Sequence, residues 1–411
     1  MAEQQPVFCD NSSNKSGHSV EKEEQIDSAS LNSISEPIQS FNKIKKQESK
    51  SSITEQPDSK EWLQHEKHFF ILSNSGKPVW TRYGDESKLS SLMGVVQAII
   101  SFFQDSDDTI KFIHAGQHKF VFLLKEPLYY VCVSKTGESD NQLRDQLSYL
   151  HSQILSVLTN TQLTKIFEQR VNFDLRRLLG GTEVFLDSLS NLFSNDHSFM
   201  LSALQCLRVN KSVRDQIGGI LTEGKVKNSL YAIVVSKGRL VTLLRPRKHS
   251  LHPSDLHLLF NMLNGSKTFH SAEAWTPLCL PKFNSKGFLH AYICYIDEDT
   301  SIVVISTDKS NFFEISEWKT KVVELIEKQD LLSNIIKQDG YRVEDIGIPS
   351  LVHFMYKSKI QVQFTTSELS GDYLMEENKT RLYRLYQYMH DRMHHRSRPL
   401  KLYYMKNHIF I

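Results

Sequence analysis

The sequence predicts an α+β chain made of repeated antiparallel sheets with helices on their faces. Three observations carry that expectation. Short apolar, strand-like runs alternate with stretches whose apolar residues recur three and four positions apart. The connections between neighbouring runs are too short for parallel crossovers. The same order of runs then restarts further along, although no residue-level identity links the passes.

Length and composition set the frame. At 411 residues the chain exceeds one ordinary core, because domains hold about 100–200 residues. With 40% hydrophobic and 23% charged residues it can bury enough surface to fold. From Met1 to about Lys60 the residues are Ser, Asn, Gln, Glu and Lys with almost no aromatics, so this tail (1–60) is expected to be disordered.

Order is expected from Trp62. KHFFILSN and VWTRYG flank the turn residues Gly76 to Pro78 and read as a hairpin. Leu89, Leu92, Val96, Ile99 and Phe103 then line one face of a helix that packs on it. IKFIHAG, HKFVFLLKE and LYYVCVSK follow as three antiparallel strands. The spacing predicts helices over 141–158 and 162–179, the second closed by Gly180 and Gly181. This is the first domain, 61–195, followed by a helical bridge, 196–226.

A second pass occupies 227–340. SLYAIVVSKG and RLVTLLRP are its first strands, SDLHLLFNML its helix with Ser254 as N-cap, AWTPLCLP, FLHAYICYID and TSIVVISTD its later strands, and ISEWKTKVVELIEKQDLLSNII its closing helix. A third pass, 349–411, runs through SLVHFMYKS, KIQVQFTTSE and the helix TRLYRLYQYMHDRMHH to one more strand, LKLYYMKN.

Charge and motifs exclude several chemistries. A net charge of +2 gives no global field for nucleic acid. Cys9, Cys132, Cys206, Cys279 and Cys294 form no CxxC pair and read as reduced residues. The first residues lack the basic and apolar stretches of a secretion signal, and no apolar run approaches the roughly 18 residues that span a bilayer. The expected setting is cytoplasmic, with peripheral membrane contact.

Gly219 to Lys225 keeps both glycines and the lysine of a phosphate loop, but Val226 replaces the magnesium-holding hydroxyl and a strand follows where a helix should. It is expected to be a turn. His390 and His394 stand four apart without the glutamate of a zinc protease, so with His395, Arg396 and Arg398 they read as a cationic helix end, not a metal site. No G-x-S-x-G elbow occurs, so no catalytic residue, metal or cofactor is assigned.

Binding candidates remain. Arg245, Arg247 and Lys248 form a strand-to-helix corner, read either as solvated cations or as a contact to acidic lipid or protein. Trp275 is either a core ring or an exposed anchor, and Trp80 with Arg82 shares a strand face that could meet a partner.

The strings KHFFILSNSGKPVWTRYGDE, KFIHAGQHKFVFLLKEPLYYV, LRDQLSYLHSQILSVLT, FDLRRLLGGTE, HPSDLHLLFNML, EAWTPLCLPKFN and RPLKLYYM closely resemble the Mon-one/Sand family of vacuolar fusion proteins, from about His68 to Tyr404. That resemblance implies three successive longin domains and a heterodimer with a Ccz-one-type longin subunit. It implies exchange of guanine nucleotide on a Rab-seven-type GTPase in endosome maturation, autophagy and fusion with the vacuole or lysosome. Such exchange is non-covalent, so no acid or base is required. The first domain would form the GTPase platform, where Trp80 and Arg82 are candidates, and the second would receive a Rab-five-type GTPase near Trp275. Family members continue past RPLKLYY with further strands and a helix, so the third domain is expected to be incomplete. The alternative function is a trafficking adaptor, or a truncated form, without exchange activity.

Overall fold

The computed structural model describes residues 59–246, 251–265, 267–270, 272–336, 340–395 and 397–401. The tail expectation, Arg247, Lys248, Arg396 and all but the start of the LKLYYMKN strand lie outside the described residues.

The first domain opens with a short helix, α1 (Lys60–Gln64), then β1 (Lys67–Ser73) and β2 (Pro78–Thr81). Gly76 turns this hairpin at φ 78°, a left-handed conformation that suits glycine. Helix α2 (Ser90–Gln104) crosses one sheet face, and β3 (Phe112–Ala115), β4 (His118–Lys125) and β5 (Leu128–Ser134) complete an antiparallel sheet of order β2-β1-β5-β4-β3. Helix α3 (Asp140–Val157) covers the opposite face. Its start is fixed by a capping box, in which Ser139 Oγ accepts from the Gln142 amide and Gln142 Oε1 accepts from the Ser139 amide.

The helix expected over 162–179 is two helices, α4 (Asn160–Gln169) and α5 (Arg176–Leu179). The first ends where Arg170 takes extended backbone at φ −144°, and the second starts after Asp174, whose carboxylate accepts from the Arg176 amide and grips the Arg176 guanidinium. Gly180 follows α5 at φ −49°, and Gly181 takes the left-handed turn at φ 107°.

Next come α6 (Glu183–Asn195), α7 (His197–Leu201), the two-residue strand β6 (Leu204–Gln205) and α8 (Lys211–Thr222). The second sheet repeats the first: β7 (Ser229–Ser236), β8 (Arg239–Leu244), helix α9 (Pro253–Gly265), β9 (Ala274–Leu278), a short α10 (Pro281–Asn284), β10 (Leu289–Tyr295) and β11 (Thr300–Ser306) pair in the order β8-β7-β11-β10-β9. Ser254 is not the cap of α9. The helix begins one residue earlier at Pro253, whose ring fits a first turn, and the Ser254 hydroxyl donates to Tyr149 at 3.3 Å. The single closing helix is also divided, into α11 (Phe312–Lys328) and α12 (Leu331–Ile336), where Asp330 takes φ 50°.

Helix α9 is buried on every side, from Ser254 through Leu263. One side meets its own sheet. The other meets the first domain, where His257 bonds Tyr149 Oη and the Ala203 carbonyl at 3.0 Å each, and Asn261 Nδ2 donates to Gln153 and to the Phe185 carbonyl, while Asn261 Oδ1 has no partner among the described residues. The layers therefore run α2, first sheet, α3 with α6, α9, second sheet, then α8 and α11.

The third pass is the smallest sheet: β12 (Met355–Ser358) pairs with β13 (Gln363–Thr366), and β13 pairs in parallel with β6, giving the order β12-β13-β6. The segment holding β6 also reaches the second sheet, because Leu207 donates to the Leu240 carbonyl of β8 at 2.9 Å. Helix α13 (Glu376–Met393) docks back on the first domain. Tyr383 Oη donates to the Phe193 carbonyl, and Gln387 donates to buried Glu138 at 2.9 Å. Burial alone would raise the Glu138 carboxyl, but the ion pair with Lys67 and bonds from Thr136 and Gln146 win and hold it below its usual range. No helix among the described residues is long and apolar enough to cross a membrane.

Candidate partner-binding face on the first domain

Helix α2 carries more apolar surface than its sheet can cover. At 100° per residue, its apolar positions span roughly 220° of the circumference, and Ser90, Gln97, Ser101 and Gln104 hold much of the rest. The sheet takes one flank: Leu89, Met93, Val96 and Ile100 are buried against Phe70, Leu72, Phe122, Tyr129 and Val131. The other flank faces outward, with Leu92 37%, Val95 58% and Phe102 69% exposed, and Ala98 open beside them. The sequence centred the packing face on Leu89, Leu92, Val96, Ile99 and Phe103, the middle of the apolar arc. The sheet instead covers one edge of that arc and leaves the opposite edge bare.

The neighbouring sheet margin is open as well. β3 is the last strand of the sheet, and its Phe112, 52% exposed, lies with Val121 and Arg144 on the α3 side, opposite α2. An outward apolar helix stripe on a domain with an unpaired strand edge makes this face the candidate interaction surface. Val95 and Phe102 were missed by motif reading. The signal that finds them is the width of the apolar arc.

The residues chosen from sequence do not gather at one place. Trp80 is 1% exposed inside the core shared with Phe69 and Phe193, and its indole Nε1 has no hydrogen-bond partner among the described residues. It has no surface to offer a GTPase, because α6 lies along β2. Arg82 marks that closure: it donates to Asn191 at 2.6 Å and lies 3.4 Å from the Asp187 carboxylate, both on α6.

Trp275 sits half-buried on β9, the open edge of the second sheet. Its ring stacks on His290 at 5.5 Å and meets Phe312 edge-on at 6.1 Å, and neighbouring Phe313 is 76% exposed. Arg245 is exposed just past β8.

Three family models describing the first, second and third longin domains of FUZ, MON1 and HPS1 match residues 67–189, 227–324 and 350–409. Vacuolar fusion protein MON1 homolog A of Gallus gallus is 44% identical over 348 residues, 84% of this chain and 63% of the relative. Protein SAND of Takifugu rubripes is 43% identical over 358 residues, 86% of this chain and 69% of the relative. Vacuolar fusion protein MON1 of Cryptococcus neoformans is 44% identical over 347 residues, 82% of this chain and 56% of the relative. The chain belongs to the MON1/SAND family. It spans less than two thirds of the chicken relative's length.

Three longin domains, the third shorter, thus account for the three sheets. Within this MON1/SAND framework the motif-like segments have structural roles. Gly219 lies inside α8, and the turn is Glu223 and Gly224, the latter at φ 61°, followed by β7 rather than a helix. The His390 and His394 rings lie 4.3 Å apart, and burial holds His390 down to about 4, with His394 also lowered. His390 is therefore neutral near pH 7, which corrects the expected cationic end at that residue. No group of three or more His, Cys, Asp or Glu suited to a metal occurs among the described residues.

Proposed function

We propose that this chain is one subunit of a longin heterodimer that acts as a guanine nucleotide exchange factor for a Rab-seven-type GTPase, in endosome maturation, autophagy and vacuole or lysosome fusion. The observation that supports it most is the bare apolar flank of α2 beside the open β3 edge. A second longin domain, such as that of a Ccz-one-type subunit, would cover it and complete a platform for the GTPase.

The relatives' names, vacuolar fusion proteins, agree with this setting. Exchange works by binding that displaces the nucleotide, so the chain needs no acid, base, metal or cofactor of its own. A Rab-five-type GTPase would meet the second domain at half-exposed Trp275, and anionic endosomal membrane would meet Arg245, placing the complex peripherally on endosomes and lysosomes or vacuoles.

The test is release of fluorescent GDP from a Rab-seven-type protein by this chain co-purified with a Ccz-one-type subunit. Release faster than with either subunit alone is expected. A stable complex without acceleration would overturn the exchange role and leave an adaptor that recruits trafficking factors.

A further inference from the structure

An apolar cavity of about 210 Å³ opens where α1, the first sheet and the start of α2 meet. Trp62, Leu63, Phe70, Leu92, Phe120 and Val133 form its walls. Two features say what fills it. Leu92 belongs both to this cavity and to the bare flank of α2, so the cavity continues that face at its N-terminal end. At the rim, the Lys135 ammonium donates to the Leu63 carbonyl at 2.7 Å and pairs with no carboxylate among the described residues. The other charge there, Glu66, is taken by Arg384 of α13 at 2.5 Å.

We infer that this cavity is the anchor pocket for the longin partner: it takes one large apolar side chain, leucine- to phenylalanine-sized, with a neighbouring partner carboxylate meeting Lys135. This rests on the heterodimer reading above. Interfaces concentrate their binding energy in a few apolar anchors seated in pockets, and an unneutralised cation at the rim selects the sign of the flanking charge. The neighbouring imidazole does not compete for that charge. Burial, then the fields of His65 and Lys135, hold His68 down to about 4, so it is neutral near pH 7.

The experiment measures affinity of the full chain for a purified Ccz-one-type subunit, with thermal unfolding of each variant as a fold check. Val133→Phe, which fills the cavity, and Lys135→Glu, which reverses its rim, are each expected to weaken pairing about tenfold or more with little change in melting. Val95→Asp on the open flank serves as the reference. If Val95→Asp abolishes pairing while Val133→Phe and Lys135→Glu bind like the parent, the pocket is overturned and the heterodimer face stands. If all three bind like the parent, both readings fall. Should Val133→Phe fail to fold, hydrogen exchange of the parent chain decides: partner binding must protect residues 60–66 and 131–135, and unchanged exchange there overturns the proposal.

Discussion

Helices α2 and α9 hold the same place in two sheets of identical strand order, each between the second and third strands of its domain. Their outer sides differ. The outer side of α9 carries His257 and Asn261, and both reach across to the first domain: His257 bonds Tyr149 Oη, and Asn261 Nδ2 donates to the Phe185 carbonyl. The outer side of α2 carries Leu92, Val95, Ala98 and Phe102, without a charge among them. One fold position thus appears once with its second layer in place and once without. A polar outer side hydrogen-bonded across to the first domain suits a permanent seam within one chain. An apolar outer side suits a surface that a separate partner covers.

Four outcomes would sharpen or break this contrast. The largest is expected at the closed helix: Leu259→Ala removes a fully buried side chain of α9 and should cost about 2–5 kcal/mol in urea unfolding. A loss under about 1 kcal/mol would mean that α9 is not the packed centre. At the open helix, Val95→Asp should change chain stability by no more than about 0.5 kcal/mol, since the site is exposed. Pairing with a longin partner should fall about 100-fold in the same variant.

The third outcome concerns pH. Burial lowers His68, His151, His197, His257 and His390 to about 4 each. Because the unfolded chain binds these protons near the ordinary value of about 6.5, stability is intact above that pH and falls as pH drops toward 4. The slope reaches at most about 1.4 kcal/mol per pH unit for each such histidine. Urea midpoints at several pH values read it, and His257→Gln should flatten the curve. A flat parent curve would show that these histidines are not buried neutral. The smallest effect is at the surface: Arg82→Ala breaks the tie to Asn191 and Asp187 and should cost about 0.2–1 kcal/mol in the same assay.

The fold was largely legible from periodicity. Strand runs such as KHFFILSN and SLYAIVVS alternate with helical spacing because each sheet packs helices on its faces. What stayed hidden depended on partners far along the chain. Residues 162–179 read as one helix because neither the extended turn at Arg170 nor the restart held by the Asp174 carboxylate leaves a mark on the periodicity. β6 is too short to register, and it exists because β13 arrives to pair with it. Trp80 and Trp275 looked alike in sequence, but α6 closes over the edge strand of one and leaves the edge strand of the other open. The bare flank of α2 was legible in outline as a broad apolar arc; which edge the sheet would take was not.

The segment 204–207 donates hydrogen bonds to two sheets, from Leu204 and Cys206 to the Val362 and Phe364 carbonyls on one side and from Leu207 to the Leu240 carbonyl on the other. During synthesis this segment leaves the ribosome before either claimant. β8 emerges soon after it, whereas β13 emerges only once the whole second domain has been made. The nascent chain therefore carries a half-paired strand for as long as that domain takes to translate. A rare-codon pause placed in that interval would lengthen the time during which a chaperone or a neighbouring nascent chain can compete for its free side.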